Sequence, residues 1–265
     1  MKIGILGLGV VGGAVHSGFL ELGHNVSFYD PVIKGSEFRD VLNTEVCFLC
    51  VPTPPDDEGF CDVTIVEESV RNLSENNYKG IIAVKSTVMP GTTEKLSQQY
   101  PELTICFVPE FLRERCAVID FIENHDLCVI GTDSEIVFNK VKETHGHYPK
   151  NFRMLSRTEA ETVKYYNNIY NATLITLANS FYELCKNLDI SYSKIKNSLV
   201  LREHINDSYL QCNDNFRGFG GVCLPKDTLA IAKLVQKLNL DIDFFDMILK
   251  ENKKYKVTVY DGMRK

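Results

Sequence analysis

The chain has 265 residues, of which 44% are hydrophobic, enough for one large or two ordinary folded domains. Its formal net charge of −6 gives no overall attraction to nucleic acid or to an anionic membrane, so we expect neither as a partner. Any phosphate must then be bound locally, which indicates a small anionic ligand rather than a polymer.

The first residues run directly into an apolar strand and leave no room for a secretory leader. No apolar run approaches membrane-spanning length. The nine cysteines are scattered through apolar runs, which is typical of reduced thiols, so we expect a cytoplasmic protein. No histidines are paired at helical ligand spacing, and His145 with His147 indicates a solvated helix end rather than a metal site. No metal is expected.

Short β-rich runs alternate with helical stretches in the first half of the chain. The predicted strands cover residues 2–8, 25–29, 46–51, 80–84, 104–108 and 126–131. Near-continuous apolar strands between helices favour a doubly wound parallel sheet of the Rossmann type. After Phe152 the pattern changes to amphipathic helices without a convincing strand. We therefore predict an α/β fold class, with a Rossmann domain over residues 1–153 and an all-α domain over residues 154–265.

A long helix is predicted at the start of the second domain. Ser156 and Glu159 form a capping box, and the helix that they open could run from Arg157 to about Leu188. At about 1.5 Å per residue this helix would span roughly 48 Å, too long to be buried by one small domain. We therefore expect a homodimer that forms through it.

A glycine-rich turn, Gly7-Leu8-Gly9-Val10-Val11-Gly12, directly follows the first strand and opens a helix. Its glycines permit a tight turn, close approach of a pyrophosphate to backbone N–H groups, and packing of the helix against the strand. The predicted cofactor contacts in this turn are Gly7, Gly9, Val11 and Gly12.

Asp30 ends the second predicted strand, where a carboxylate can accept the ribose hydroxyls and repel a 2′-phosphate. This favours NAD over NADP as the cofactor. Lys34 could reach a cofactor hydroxyl or phosphate, and it could equally be a solvated loop lysine.

Cys223 lies in a glycine-rich loop with Lys226 and Asp227 one turn away. Such a loop admits a substrate closely, and a nearby cation can help to ionise the thiol. We predict a nucleophile here and packed structural cysteines at the other eight positions. Lys164 and Asn168, four residues apart, share one helical face and could present an ammonium and an amide to one oxygen. The alternative is a surface lysine beside an exposed asparagine.

Four sequence blocks together resemble the signatures of the UDP-glucose/GDP-mannose dehydrogenase family, in the family's order. They are Val51-Pro-Thr-Pro54, Val84-Lys-Ser-Thr-Val-Met-Pro-Gly-Thr-Thr93, Pro109-Glu-Phe-Leu-Arg-Glu114 and Gly218-Phe-Gly-Gly-Val-Cys-Leu-Pro-Lys-Asp227. The resemblance covers essentially the whole chain. The Lys164 and Asn168 spacing also resembles the 3-hydroxyacid and 6-phosphogluconate dehydrogenases, but Cys223 does not belong to their pattern.

The resemblance implies oxidation of the C6 alcohol of a nucleotide-linked hexose to a carboxylate, with two NAD used in succession. It implies that Cys223 forms a thiohemiacetal and then a thioester. Lys164 and Asn168 would stabilise the oxyanion at C6, and Asp227 would orient Lys164 and a water. Glu114, with Thr87 and Glu110 behind it, would position or deprotonate the water that hydrolyses the thioester.

The resemblance also implies a set of ligand contacts. Those to the cofactor include Thr53, Thr87, Glu114 and Lys226. Those to the sugar comprise Glu110, Phe111, Leu112, Arg113, Glu114, Lys164, Asn168, Gly220 and Cys223.

Three departures from the family pattern stand out. The chain is short, and Val257 to Tyr260 resembles only the first strand of the family's nucleotide-binding third domain, so we expect that domain to be absent or supplied by a separate chain. Arg115 stands where the family usually has glycine. The loop Cys212-Asn-Asp-Asn-Phe-Arg217 lacks the usual proline and glycine.

Three functional hypotheses remain open. The first is an active nucleotide-sugar dehydrogenase, with UDP-glucose favoured as the substrate and GDP-mannose possible. The second is a dehydrogenase for a smaller hydroxy substrate, in which Cys223 would be dispensable. The third is a non-catalytic NAD-binding homologue or one half of a split enzyme.

Overall fold

A computed structural model describes residues 1–258 of the protein. The contacts divide the chain into two units. The first comprises Met1–Asp56 and Cys61–Lys164, and the second comprises Asp57–Phe60 and the residues from Tyr165 onward. The division falls inside the long helix rather than at its start. Within the described residues, no helix is both long and apolar enough to cross a bilayer.

The first unit contains a seven-stranded sheet with the order β2-β1-β3-β4-β5-β6-β7. Its neighbouring strands are parallel except for β5 and β6, which pair antiparallel through Phe107 and Gly131. The strands are β1 (Lys2–Leu6), β2 (Asn25–Tyr29), β3 (Val46–Leu49), β4 (Ile81–Val84), β5 (Thr104–Phe107), β6 (Leu127–Gly131) and β7 (Asn151–Leu155). The predicted fold class is confirmed.

The helices of the first unit cover both faces of this sheet. They are α1 (Val10–Glu21), α2 (Thr64–Glu75), α3 (Thr92–Gln99), α4 (Ala117–Ile122), α5 (Glu135–His145) and the start of α6 (Arg157–Asn187). Along β3, Val46 and Phe48 join one buried cluster, whereas Cys47 and Leu49 join another. Because successive side chains of a strand point to opposite faces, the two clusters are the two faces of the sheet.

Strand β7 was missed by the sequence pattern, which placed the change to helical structure at Phe152. β7 pairs in parallel with all five residues of β6. It is an edge strand whose side chains are exposed or half-buried, so its sequence Asn-Phe-Arg-Met-Leu lacks the apolar run of a central strand. The expectation of a purely helical pattern after Phe152 was therefore wrong at β7.

The second unit is mainly helical. It contains most of α6 together with α7 (Tyr192–Leu199), α8 (Cys223–Lys237) and α9 (Phe244–Asn252). Two short strands also form, because β8 (Gly218–Phe219) pairs in parallel with β9 (Val257–Thr258). The strand expected over residues 257–260 is thus present in its first half, and Val259 and Tyr260 lie outside the described residues.

The predicted capping box opens α6. The backbone N and the hydroxyl of Ser156 both donate to the Glu159 carboxylate, at 2.8 and 2.7 Å. The 31 residues of α6 give a length of about 46 Å at the usual rise per residue. The predicted long helix is therefore confirmed.

His145 corrects the expectation of a solvated helix end. It ends α5, but its side chain is fully buried among the rings of Phe19, Phe48 and Phe121. Its Nδ1 lies 2.9 Å from the Val141 carbonyl oxygen, and no described residue bonds its Nε2. Burial in this aromatic cluster lowers the pKa of His145 well below its ordinary value, so the ring is neutral.

We predict that stability falls as the pH drops below about 6.5, because unfolded His145 binds a proton there and the buried ring does not. For one such group, the free energy of unfolding changes by about 1.4 kcal/mol per pH unit in this range. His145→Phe should reduce the slope by that amount in denaturant titrations between pH 5 and 6.5. His147→Phe, which changes an exposed ring, should retain it. An unchanged slope in His145→Phe would contradict this assignment.

Candidate functional site

The glycine turn between β1 and α1 adopts a backbone that side chains would block. Gly7 has φ +86°, and a Cβ there would lie 2.6 Å from the Cys50 carbonyl oxygen. A Cβ on Gly12 would lie 1.9 Å from the Gly7 carbonyl oxygen. At Gly9, by contrast, nothing in the described residues other than the adjoining backbone comes within 4 Å of the Cβ position. The turn therefore packs against the protein at Gly7 and Gly12 but has open space at Gly9, where α1 begins. A pyrophosphate site requires such an arrangement.

Asp30 follows β2 and braces the same turn. Its Oδ2 accepts from the Leu8 backbone N at 2.7 Å, and its Oδ1 accepts from the Val32 backbone N at 3.0 Å. Each carboxylate oxygen can accept more than one hydrogen bond, so both retain capacity for ribose hydroxyls. These residues fit a bound NAD, which would supply the hydride acceptor.

The other predicted cofactor residues of the first unit differ in exposure. Val11 is half-buried at the start of α1, and Thr53 is half-buried in the loop after β3. Lys34 is exposed in the loop after β2. All three lie after strands that neighbour one another in the sheet, at the edge where ligands of doubly wound folds bind.

We predict that Gly9→Ala weakens NAD binding without destabilising the protein, because the added methyl group enters the open space above α1. Titration calorimetry should show a Kd for NAD raised at least about tenfold, with an unchanged thermal midpoint. Ser17→Ala, at an exposed position of α1, is the matched control and should bind NAD normally. Wild-type affinity for NAD in Gly9→Ala would contradict the assignment of this turn as the pyrophosphate site.

A buried ion pair joins the loops that follow β4 and β5. Lys85 Nζ lies 3.2 Å from Glu110 Oε2, and both side chains are almost fully buried. The other carboxylate oxygen of Glu110 accepts from the backbone N atoms of Phe111 and Leu112, at 2.7 and 3.1 Å. Burial alone would lower the pKa of Lys85, but the charge of Glu110, its hydrogen bond and smaller contributions from Cys128 and Cys50 together outweigh burial and raise that pKa.

Lys164 joins this cluster from α6. Its Nζ donates to the carbonyl oxygen of Glu110 and lies 5.7 Å from the centre of the Phe111 ring. Thr87, two residues beyond Lys85, is half-buried in the same loop. The structure therefore brings Lys164, Glu110 and Phe111 together within the first unit.

The remaining residues of this loop form a second cluster around Asp120 of α4. Arg113 donates to the Asp120 carboxylate from its backbone N, Nε and Nη2, at 2.9, 2.8 and 2.6 Å. Burial opposes the charge of Asp120, but these bonds hold the pKa of its carboxyl well below the usual range. Glu114 is half-buried and starts a short 3-10 helix, and Arg115 is exposed, so its bulk is accommodated in solvent.

In the second unit, Asp227 is the centre of a buried polar group. Its Oδ2 accepts from Asn168 Nδ2 at 2.6 Å, and its Oδ1 lies 2.6 Å from Lys226 Nζ. All three side chains are at least nine-tenths buried. Asn168 is thus oriented by Asp227, while the Lys226 ammonium points at the carboxylate.

Cys223 is the first residue of α8 and is exposed, whereas the other eight cysteines are buried or half-buried. The preceding residue, Val222, has an apolar side chain that cannot cap the helix. The first N–H groups of a helix favour an anion at this position, such as a thiolate. Gly220 is half-buried, and Gly221 has φ +72°, which suits the turn into the helix.

The sequence interpretation missed several buried charges of the first unit, among them Lys85 and Glu161. Lys85 lies in the family-like segment from Val84 to Thr93 and directly follows an apolar strand. A charge at such a position has to be paired, so the sequence itself could have indicated an ion pair here. Glu161 is fully buried and accepts from the backbone N atoms of Gly91 and Thr93, at 2.6 and 2.7 Å, at the start of α3. No local pattern marked Glu161, because its partners lie about seventy residues away.

Two models of one family match this chain. The family is the UDP-glucose/GDP-mannose dehydrogenase family. The model of its NAD binding domain matches residues 33–148, and the model of its central domain matches residues 158–254. Together they cover most of the chain. The cofactor named for the first of these domains is the predicted one, NAD.

Individual relatives agree with this assignment. A UDP-glucose 6-dehydrogenase of Haloferax volcanii is 29% identical, in an alignment that covers 87% of this chain and 64% of the relative. One of Rickettsia prowazekii is 30% identical, covering 83% and 51%. This chain therefore spans less than two thirds of these relatives.

Solved structures give the same result. A UDP-glucose dehydrogenase of Pyrobaculum islandicum superposes with a TM-score of 0.86 at 28% identity, covering 96% of this chain and 68% of that one. A GDP-mannose dehydrogenase of Pseudomonas aeruginosa shares the fold, with a TM-score of 0.69 at 23% identity, covering 96% and 69%. From the two domain matches and these relatives, the chain belongs to the UDP-glucose/GDP-mannose dehydrogenase family.

Proposed function

We propose that this protein oxidises the C6 alcohol of a nucleotide sugar, UDP-glucose in the first instance, to a carboxylate with NAD, through a covalent intermediate on Cys223. The observation that carries the proposal is an exposed thiol at the first residue of α8, four residues before the buried Asp227. Relatives with UDP-glucose dehydrogenase names support the choice of substrate.

The proposed reaction has two oxidations and one hydrolysis. NAD, when bound, accepts a hydride in each oxidation. In the first oxidation the C6 hydroxyl loses its proton and C6 becomes an aldehyde. The Cys223 thiolate then adds to that carbon, a C–S bond forms, and the carbonyl electron pair moves to oxygen to give a thiohemiacetal. Loss of the second hydride from C6 produces a thioester, and attack by water breaks the C–S bond to release the carboxylate and the thiolate.

Lys164 and Asn168 are proposed to stabilise the negative charge that develops on the C6 oxygen. They lie one turn apart on the continuous helix α6. Asn168 is held in one orientation by Asp227, and Lys164 is held by Glu110. Donors that are fixed before the reaction lose little energy to reorganisation, so such a pair lowers the barrier effectively.

Glu114 is proposed to position or deprotonate the water that hydrolyses the thioester, with Thr87 assisting. It starts the short 3-10 helix that the Arg113–Asp120 bonds anchor. We assign sugar contacts to Phe111, Leu112, Arg113 and Gly220, and cofactor contacts to Thr53 and Lys226. These contacts follow the family resemblance.

We predict NADH formation from NAD and UDP-glucose that depends on Cys223. Because the thiol carries the intermediate, Cys223→Ala should lower kcat at least about 1,000-fold, measured by absorbance at saturating NAD. Cys185→Ala, which alters a buried cysteine of α6, is the matched control and should keep wild-type turnover. GDP-mannose in place of UDP-glucose tests the substrate choice.

Two outcomes would replace the proposal with another function. Activity that survives Cys223→Ala but not Lys164→Met would indicate a dehydrogenase of a simpler hydroxy substrate. Normal NAD binding without NADH from either nucleotide sugar would indicate a non-catalytic NAD-binding role.

We also propose that two copies of the chain associate through α6. Five of its apolar residues, and Leu188 directly after its end, are between 47% and 76% exposed; the five are Tyr166, Tyr170, Leu177, Phe181 and Leu184. Their spacings of three, four and seven residues keep them on one face of the helix, opposite the face of Lys164 and Asn168. An apolar stripe of this length is a typical self-association surface.

We predict that Leu177→Glu combined with Phe181→Glu produces a monomer, because two charges on each copy would have to be buried in the interface. Light scattering after gel filtration should give half the mass of the wild type. Lys186→Glu changes the charge at an exposed position on the opposite face of α6 and should leave the mass unchanged. A monomeric wild type would refute the association.

A further inference from the structure

The strand β8 ends four residues before Cys223, and its backbone is held by a single side chain of α9. Asn252 Oδ1 accepts from the Phe219 backbone N at 2.9 Å, and Asn252 Nδ2 donates to the Phe219 carbonyl oxygen at 2.9 Å. Asn252 is only 8% exposed and Phe219 only 3%. The amide thus takes the place of a neighbouring strand on the side of Phe219.

The residue before Phe219 is shaped to admit this amide. A Cβ on Gly218 would lie 2.8 Å from Asn252 Oδ1 and 3.3 Å from the Cβ of Tyr255. On the other side, Gly218 and Phe219 pair with Val257 and Thr258 of β9. The short strand is therefore bonded along both edges, by β9 and by Asn252.

Arg217 braces the chain immediately before β8. Its guanidinium lies between the rings of Tyr182 and Tyr255, 4.8 and 5.0 Å from their centres. Nε donates to Asn179 Oδ1 at 2.8 Å, and Nη2 donates to Glu183 of α6. Its backbone N donates to Thr258 Oγ1 at 2.7 Å.

These bonds leave only a short free segment before the thiol. Gly220, Gly221 and Val222 connect the braced Phe219 to Cys223, which is already part of α8. Gly221 takes φ +72°, so glycines provide the turn but add little stiffness of their own. The direction of Cys223 at the start of α8 thus depends on where Phe219 is held.

We propose that Asn252 is a positioning residue for Cys223, which fixes the β8 backbone and so holds the thiol at the N-terminus of α8. Only the expected effect on kcat rests on the proposed function; the effect on the thiol does not. The reactivity of the thiol depends on its place against the helix N–H groups and can be measured without a sugar or NAD.

The test is the rate of Cys223 alkylation by iodoacetamide, followed by mass spectrometry of the Cys223 peptide between pH 6 and 9. Asn252→Ala should alkylate at least about threefold more slowly at pH 7, with its pH midpoint moved upward, because the thiolate loses the helix N–H groups. Under turnover conditions kcat should fall about tenfold or more, with the KM for NAD unchanged. Gly218→Ala should produce the same changes, because its Cβ displaces the Asn252 amide while leaving it in the sequence.

The control is Ile248→Val, which trims a buried side chain of α9 that is not part of the amide contact. It should retain the wild-type alkylation profile and kcat. Wild-type alkylation profiles in both Asn252→Ala and Gly218→Ala would overturn the proposal, as would equal changes in Ile248→Val. Slower alkylation in Asn252→Ala and Gly218→Ala, together with a wild-type protein that forms no NADH, would leave the positioning role standing and refute the proposed function instead.

Discussion

The buried ion pair between Lys85 and Glu110 organises the loops that follow β4 and β5 in the first unit. It joins the ends of β4 and β5, and Glu110 then holds the backbone N atoms of Phe111 and Leu112 while its own carbonyl receives Lys164. Burying two charges costs free energy because both lose their hydration. Such a pair is tolerated only where further hydrogen bonds satisfy the charged groups. Loss of one partner would leave the other charge buried, at a cost of about 3–5 kcal/mol. The sequence therefore needs both residues.

The second unit relies on the same principle with different groups. Asp227 binds the amide of Asn168 and the ammonium of Lys226, Asn252 bonds both backbone groups of Phe219, and Arg217 is enclosed by two tyrosine rings. None of these groups could move without leaving a buried polar atom unsatisfied. Fully satisfied networks therefore fix the neighbourhood of Cys223, an exposed thiol that has little packing of its own.

Much of the fold could be predicted from local patterns. The glycine turn, the central strands and the capping box at Ser156 each depend on residues close together in sequence, and each was found where predicted. Strand β7 was missed because an edge strand lacks an apolar run, and His145 was misassigned because the end of a helix gives no sign of which side faces the core. Both errors concern burial, which depends on tertiary packing rather than on local pattern.

For the candidate site, the sequence proposes a set of residues but not the contacts between them. Cys223 stood out among nine cysteines because of its neighbours, and the structure adds that it is the exposed one. Asn168, which bonds Asp227, and the partners of Glu161 and Phe219 lie 33 to 70 residues away, beyond the reach of spacing arguments. Lys85 was within reach, since a lysine directly after a buried strand requires an acid nearby.

The central claim is that one thiol carries the sugar through two oxidations, and its most direct test is the number of NADH formed per nucleotide sugar consumed. The wild-type chain should form two NADH for each UDP-glucose, with the product mass of the uronic acid. One NADH per sugar, with a product that is only an aldehyde or a ketone, would contradict the cysteine route, because no thioester would then have formed.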